Sequence, residues 1–179
     1  MKPDVPLYDR DPAAWHAYLA EGNAKQARKR VGADVLIRDE RGRVLLVNPA
    51  YKPDWDLPGG MVEANESPMA AARREVLEEL GVEVTVGRLL VVDWVPAHGP
   101  WDDSLMFVFD GGVMSGDQAR AVRVVEGELA EFRFVDPRDA GRLLRSYMWD
   151  RVRSALRVLE GADSVYRECG TAGPISPSR

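Results

Sequence analysis

The stretch from Ser67 to Gly81 constrains the fold most, because it reads as one helix whose two faces need different neighbours. Ser67 suits an N-cap, Pro68 fits the first helical turn and Gly81 is a C-terminal stop. At about 100° per residue, Met69, Ala72, Val76 and Leu80 share one arc, an apolar stripe that another layer of structure has to cover. Glu75, Glu78 and Glu79 share a second arc, at i, i+3 and i+4. Side chains so spaced stand about 5–6 Å apart at Cβ, and like charges there cost a few tenths of a kcal/mol per pair. They also lie near the end of the helix where the macrodipole disfavours anions. The chain therefore needs a layer beside the stripe and a positive charge beside the acids.

Segments with a period of two supply the layer. Val31, Ala33, Val35 and Ile37 alternate with Gly32, Asp34, Leu36 and Arg38, and Asp39-Glu40-Arg41-Gly42 has turn chemistry. Val44 to Val47 is a nearly continuous apolar run, suited to a strand buried on both faces. The two segments predict a hairpin, or near neighbours in one sheet. Asn48 to Gly60 reads as a loop tethered by Trp55 and Leu57; Val82 to Val95, Leu105 to Phe109 and Phe132 to Val135 read as strands, the first interrupted at Gly87-Arg88. Asp11-Pro12 opens an N-terminal helix with Trp15, Tyr18 and Leu19 as an apolar stripe. Leu143, Leu144, Met148, Val152, Leu156 and Leu159 recur at helical spacing over Arg142 to Leu159, and the Gly, Ser and Pro after Gly161 suggest a poorly ordered tail. At 179 residues, this mixture fits one α/β or α+β sandwich domain.

Composition narrows the function classes. With 45% hydrophobic and 30% charged residues and a net charge of -5, a packed core is expected and a nucleic-acid-coating protein is not. The longest apolar stretches, such as Leu89 to Val92, fall far short of the roughly 20 residues that cross a bilayer. The start of the chain has no signal-type apolar run, so a cytoplasmic location is expected. One cysteine, Cys169, and two distant histidines, His16 and His98, supply neither an internal disulfide nor a Cys/His zinc site.

The three glutamates alone leave two readings, a solvated acidic face or a divalent cation site. Arg74 lies next to Glu78 on the wheel and can compensate part of the charge. Oxygen donors without nearby His or Cys select Mg²⁺ or Mn²⁺. Just before the helix, Trp55-Asp56-Leu57-Pro58-Gly59-Gly60 forms a glycine-ended loop of the kind that lets backbone approach a phosphate or metal.

These residues resemble the Nudix box. Gly60-Met61-Val62-Glu63-Ala64-Asn65-Glu66, seven further residues, and Arg74-Glu75-Val76-Leu77-Glu78-Glu79-Leu80-Gly81-Val82 match the pattern G-x5-E-x7-R-E-U-x-E-E-x-G-U at every fixed position, where U is a bulky apolar residue. The resemblance implies a Nudix-type α/β/α sandwich around a mixed β-sheet over roughly residues 31–160, with an N-terminal helical extension over 1–30, a C-terminal helix and a tail over 161–179. It further implies Mg²⁺-dependent hydrolysis of a pyrophosphate linkage in a nucleoside diphosphate derivative. Glu75, Glu78 and Glu79 would bind the metal with the carbonyl of Gly60, and Arg74 would hold the box together by pairing with Glu66. Relatives do not keep their general base in one place, so Glu78, Glu79 and, in a downstream loop, Glu126 and Glu128 are all candidates.

Substrate-binding residues lie outside the box. Trp55, Trp94, Trp101 and Phe107 offer faces for a base to stack on or simply anchor core and loops. Arg28 and Arg30, in the basic run Arg28-Lys29-Arg30, can approach phosphates if that run folds over the sheet; Asp102-Asp103 is expected in water. The expected partner is a small nucleotide, with neither membrane nor polymeric nucleic acid; a homodimer fits the resemblance. The alternatives are a non-catalytic nucleotide-binding or regulatory module, which would have lost box carboxylates, and a partner-binding protein working through its Arg-rich C-terminal helix. An isopentenyl diphosphate isomerase, which needs a catalytic cysteine, is opposed by the position of Cys169.

Overall fold

The computed structural model describes residues 5–124 and 127–169. In chain order the elements are α1 (Leu7–Arg10), α2 (Pro12–Ala24), β1 (Arg30–Asp39), β2 (Val44–Pro49), β3 (Gly59–Met61), α3 (Pro68–Leu80), β4 (Leu89–Val95), β5 (Ser104–Met114), α4 (Gly116–Ala121), β6 (Leu129–Val135), α5 (Pro137–Ala140), α6 (Ser146–Leu159) and β7 (Val165–Glu168). Among the described residues the strands form one seven-stranded mixed sheet in the order β6-β2-β1-β5-β4-β7, with β3 joined to β1. The β1–β5 and β4–β7 pairs are parallel and the others antiparallel.

The alternation in β1 sorts its side chains between two cores. Ala33, Val35 and Ile37 pack with Ala72, Val76 and Leu80 of α3, whereas Leu36 packs with Met148, Val152 and Ala155 of α6. The apolar run of β2 divides likewise, Leu45 and Val47 to one side and Val44 and Leu46 to the other, as a strand buried on both faces requires. The expected α/β sandwich around a mixed sheet is therefore present. The chain begins α3 where Ser67 accepts from the Ala70 N–H at 3.2 Å and ends it where Gly81, at φ 66°, donates to the Leu77 carbonyl.

The edge of β1 away from β5 is shared by two short partners. Arg38 faces Val44 of β2 at one end, while Gly32, Ala33 and Asp34 face Met61, Gly60 and Gly59 of β3 at the other. Gly59 is held at φ 144°, and a Cβ there would lie 2.3 Å from the Ala33 carbonyl oxygen, so only glycine fits this approach. The start of the box is thereby pinned against the middle of the sheet.

Three expectations change. Residues 161–179 do not form a tail throughout: Val165–Glu168 pair in parallel with Val91–Trp94, and the Cys169 N–H donates to the Trp94 carbonyl at 2.8 Å. The free edge of β4 offers unpaired backbone groups, and these satisfy a short segment despite its Gly/Ser-rich surroundings. The strand expected from Val82 onward begins only at Leu89, after the Gly87-Arg88 interruption. In α2, capped by Asp11, the stripe of Trp15, Tyr18 and Leu19 joins no core: no residue of this helix is buried, and Trp15 meets Tyr8 of α1 edge-on at 6.2 Å and stacks on Tyr18 at 5.5 Å between centroids. No helix among the described residues is long and apolar enough to cross a membrane.

Candidate active site

Arg74 organises the acidic face of α3. Its Nε and one terminal nitrogen donate to the two oxygens of Glu66, both at 3.0 Å, and that nitrogen also reaches the Met61 carbonyl at 3.1 Å. The other terminal nitrogen donates to Glu75 at 3.0 Å and Glu78 at 2.9 Å. One guanidinium thus ties the loop after β3 to three carboxylates, which only a planar fork with several donors can do. Its hydrogen bonds hold the Glu66 carboxyl below the usual range. The pair with Glu66 is the one that the resemblance to the Nudix box implies.

Glu79 takes a different partner, accepting from the Gly59 N–H at 3.0 Å. Burial pushes its carboxyl up to about 8 against that hydrogen bond, with the charges of Glu75, Asp34 and Asp56 adding to the rise. Burial also raises Glu75, against the pull of Arg74. Gly60 lies against this group: a Cβ there would fall 2.5 Å from the Glu75 carboxyl carbon. Among the described residues no three His, Cys, Asp or Glu side chains converge on one point. Arg74 draws Glu75 and Glu78, and Gly59 draws Glu79. The donor set nevertheless suits a hard cation, being crowded carboxylates beside a bare backbone turn, with neither His nor Cys among them.

Beside Gly60 and Glu79 opens a pocket of about 670 Å³, of a size that encloses a small-molecule ligand. Trp101, Tyr51, Tyr147, Met61, Met106 and Met148 give it flat and apolar walls. Its charged lining comprises Arg30, Lys52, Arg145 and Arg151 with Asp34, Asp56 and Glu79. Arg151, only 2% exposed, donates to Asp93 on β4 at 3.1 Å and to Asp34 at 3.3 Å. Burial pushes the Asp34 carboxyl up to about 7 in spite of Arg151, and raises Asp56 in spite of Lys52.

The structure sorts the other candidates. Arg30 lines the pocket and stacks over Trp101 at 4.4 Å, but Arg28 is exposed and is not part of that lining, because the chain enters the sheet only at Arg30. Trp55 is not a stacking face: it is buried to 7% exposure in the α6-side core, with the Arg133 guanidinium 5.0 Å over its ring. Trp94 and Lys29 both hold Asp103, which is therefore not simply solvated, and Phe107 packs on Phe109 against the α3-side core. Glu128 is exposed, yet near enough that its charge helps to raise Glu75; Glu126 lies outside the described residues. Cys169 lines the pocket, and burial pushes its thiol up, the wrong direction for a nucleophile.

Sequence reasoning missed Asp34, Asp56, Lys52, Arg145, Tyr147 and Arg151 as pocket residues. A signal existed for Asp34 and Asp93, each a lone acid inside an otherwise apolar strand. None marked Arg151 out among the many arginines of its helix.

The family description "NUDIX domain" matches residues 28–157. A Bacillus subtilis (strain 168) protein whose name contains the words "8-oxo-dGTP diphosphatase" is 34% identical over 134 residues, covering 75% of this chain and 83% of its own. Human "Diphosphoinositol polyphosphate phosphohydrolase 3-beta" is 32% identical over 160 residues, covering 88% and 82%. The crystal structure of a MutT protein from Methanosarcina mazei Go1 superposes with a TM-score of 0.63 at 26% identity, covering 75% of this chain and 99% of that one.

Proposed function

We propose that this chain, which belongs to the NUDIX domain family and is a pyrophosphohydrolase, splits a pyrophosphate linkage in a nucleoside diphosphate derivative with Mg²⁺, or Mn²⁺, as its metal. The observation that carries this reading is the Arg74 fork, which gathers Glu66, Glu75 and Glu78 around the Gly60 turn that lines the pocket. In it, the Gly60 carbonyl and the carboxylates of Glu75, Glu78 and Glu79 would hold the metal. When bound, the metal neutralises the diphosphate and stabilises charge developing at phosphorus.

The remaining roles belong to the chain itself. Arg74 and Glu66 are positioning residues, fixing the direction of Glu75 and Glu78. Glu79 is the one of the three box glutamates that lines the pocket, and it accepts the proton of the attacking water. Arg30 and Trp101, stacked at the rim, hold the part of the substrate that extends outward. The apolar walls exclude competing water.

The test is product release with and without Mg²⁺ over nucleoside triphosphates, nucleotide sugars, ADP-ribose and dinucleotides, for wild type, E79Q, E78Q and E128Q. Loss of a general base lowers turnover by about 10²–10⁴-fold. The expected result is that loss in E79Q, with an undisturbed fold. E79Q turnover near wild type would remove Glu79 from proton transfer, and a comparable loss in E128Q would move the role there.

A further inference from the structure

The inner end of the pocket is acidic in a way that the hydrolytic site does not use. Asp34 on β1 and Asp56 in the loop before β3 both line it, and the charge of Asp56 adds to the rise of the Asp34 carboxyl. Each gives one carboxylate oxygen to an internal cation, Asp34 to Arg151 at 3.3 Å and Asp56 to Lys52. The second oxygen of each has no hydrogen-bond partner among the described residues. Asp34 is only 6% exposed, yet among the described residues neither free oxygen is a buried atom left without a partner, so both stay open to a ligand that enters the pocket.

The cations around these acids are already committed. Lys52 pairs with Asp56, Arg145 with Asp54 at 2.6 Å, and Arg151 with Asp34 and Asp93. Arg30 stands apart at the rim, over Trp101. A ring bearing many phosphates would meet Asp34, Asp56 and Glu79 with no uncommitted inner cation to offset them. A flat ring with N–H groups on one edge matches both features, since the two free oxygens accept from it and Trp101, Tyr147 and the methionines cover its faces. A sugar would satisfy the carboxylates but leave the flat walls unmatched.

We propose that Asp34 and Asp56 are specificity-determining residues that accept hydrogen bonds from adjacent imide and amino N–H groups of a nucleobase, the pattern on the guanine edge, and that they turn away polyphosphorylated rings. This rests on the reading above that the substrate is a nucleotide. It separates this chain from its relatives named as diphosphoinositol polyphosphate phosphohydrolases.

The experiment compares dGTP with dITP, which lacks the 2-amino group, and with a diphosphoinositol polyphosphate, on the full chain with Mg²⁺. Calorimetric binding of GMP and IMP without metal provides a readout independent of turnover. A bound base covers these acceptors, so each lost donor leaves one unpaired in the complex, and the guanine compound is expected to lead by about tenfold or more in kcat/KM and in Kd. D56N and D34N should bring that ratio to within about threefold, read as the guanine-to-hypoxanthine ratio of KM and of Kd within each variant, while removal of a charge beside Glu79 changes kcat for both substrates alike. If D34N fails to fold, D56N carries the test, because Asp56 lies in a loop. Equal handling of guanine and hypoxanthine by wild type, or preference for the inositol compound, overturns the inference and leaves the pyrophosphohydrolase intact. Loss of all turnover with a retained GMP preference would instead count against the nucleotide-hydrolase reading alone.

Discussion

Replacing Arg151 by Met is the sharpest test of how the two halves of this fold are joined. Arg151 stands between Asp34 of β1 and Asp93 of β4, at 3.3 and 3.1 Å, with 2%, 6% and 0% exposure for the three residues in that order. Methionine keeps much of the volume but leaves both carboxylates without their cation. Beside Asp93 there remains Arg167, whose Nε is 4.0 Å from the Asp93 Oδ1, and both of those atoms already lack a hydrogen-bond partner. Breaking a buried pair from one side costs about 3–5 kcal/mol, because the orphaned charge cannot be rehydrated. For a domain of this length each kcal/mol is worth about 2–4 °C, so R151M should melt roughly 6–20 °C below wild type. Denaturant unfolding monitored by tryptophan fluorescence and circular dichroism gives the free energy, and the triple variant R151M/D34N/D93N provides the control. Neutralising both acids should restore most of the loss, since the cost lies in the stranded charge rather than in missing contacts. If R151M alone unfolds within about 1 kcal/mol of wild type, the buried ion triad does not hold α6 to the sheet.

Gly60→Ala should cut turnover by about tenfold or more while moving Tm little. The added Cβ would fall 2.5 Å from the Glu75 carboxyl carbon, so the carboxylate rather than the sheet has to give way. Trp55→Ala should destabilise by about 3–5 kcal/mol, measured by denaturant unfolding, and leave KM unchanged, because the ring is core and not pocket. Asp136 caps α5 and pairs with Arg138, whose side-chain and backbone hydrogen bonds lower its carboxyl from 3.8 to about 2. Its folded pKa is depressed, so its stabilisation is complete above about pH 4 and is lost as pH falls through about 2. A carboxyl-carbon NMR titration should show that midpoint, and R138A should return it towards the ordinary value; a midpoint near 3.8 in wild type would contradict the pairing.

The readable part of the site was the part written in consecutive residues. Glu66, Arg74, Glu75, Glu78 and Glu79 lie within one loop and one helix, so helical periodicity alone puts three acids on one face and an arginine beside them. The caps of α3 and the two-sided burial of β2 were legible for the same reason: each depends on neighbours a few positions away. Trp55 kept two readings, stacking face or core anchor, because an aromatic beside a glycine loop looks alike whether its ring faces a pocket or a core. That choice was made by Leu144 and Arg133, which lie far along the chain.

By itself, then, the sequence determined the acidic helix, its caps, the two-faced strands and the glycine turn, since local hydrogen bonding and side-chain periodicity decide these. Tertiary structure decided the pocket. Asp34, Asp56 and Arg151 come from β1, a loop and α6, and they meet only because the sheet order sets β1 beside β5 and brings α6 across its face. It also decided that Val165–Glu168 complete the sheet, because the open edge of β4 offered hydrogen bonds that residues after Gly161 could not be seen from composition to need.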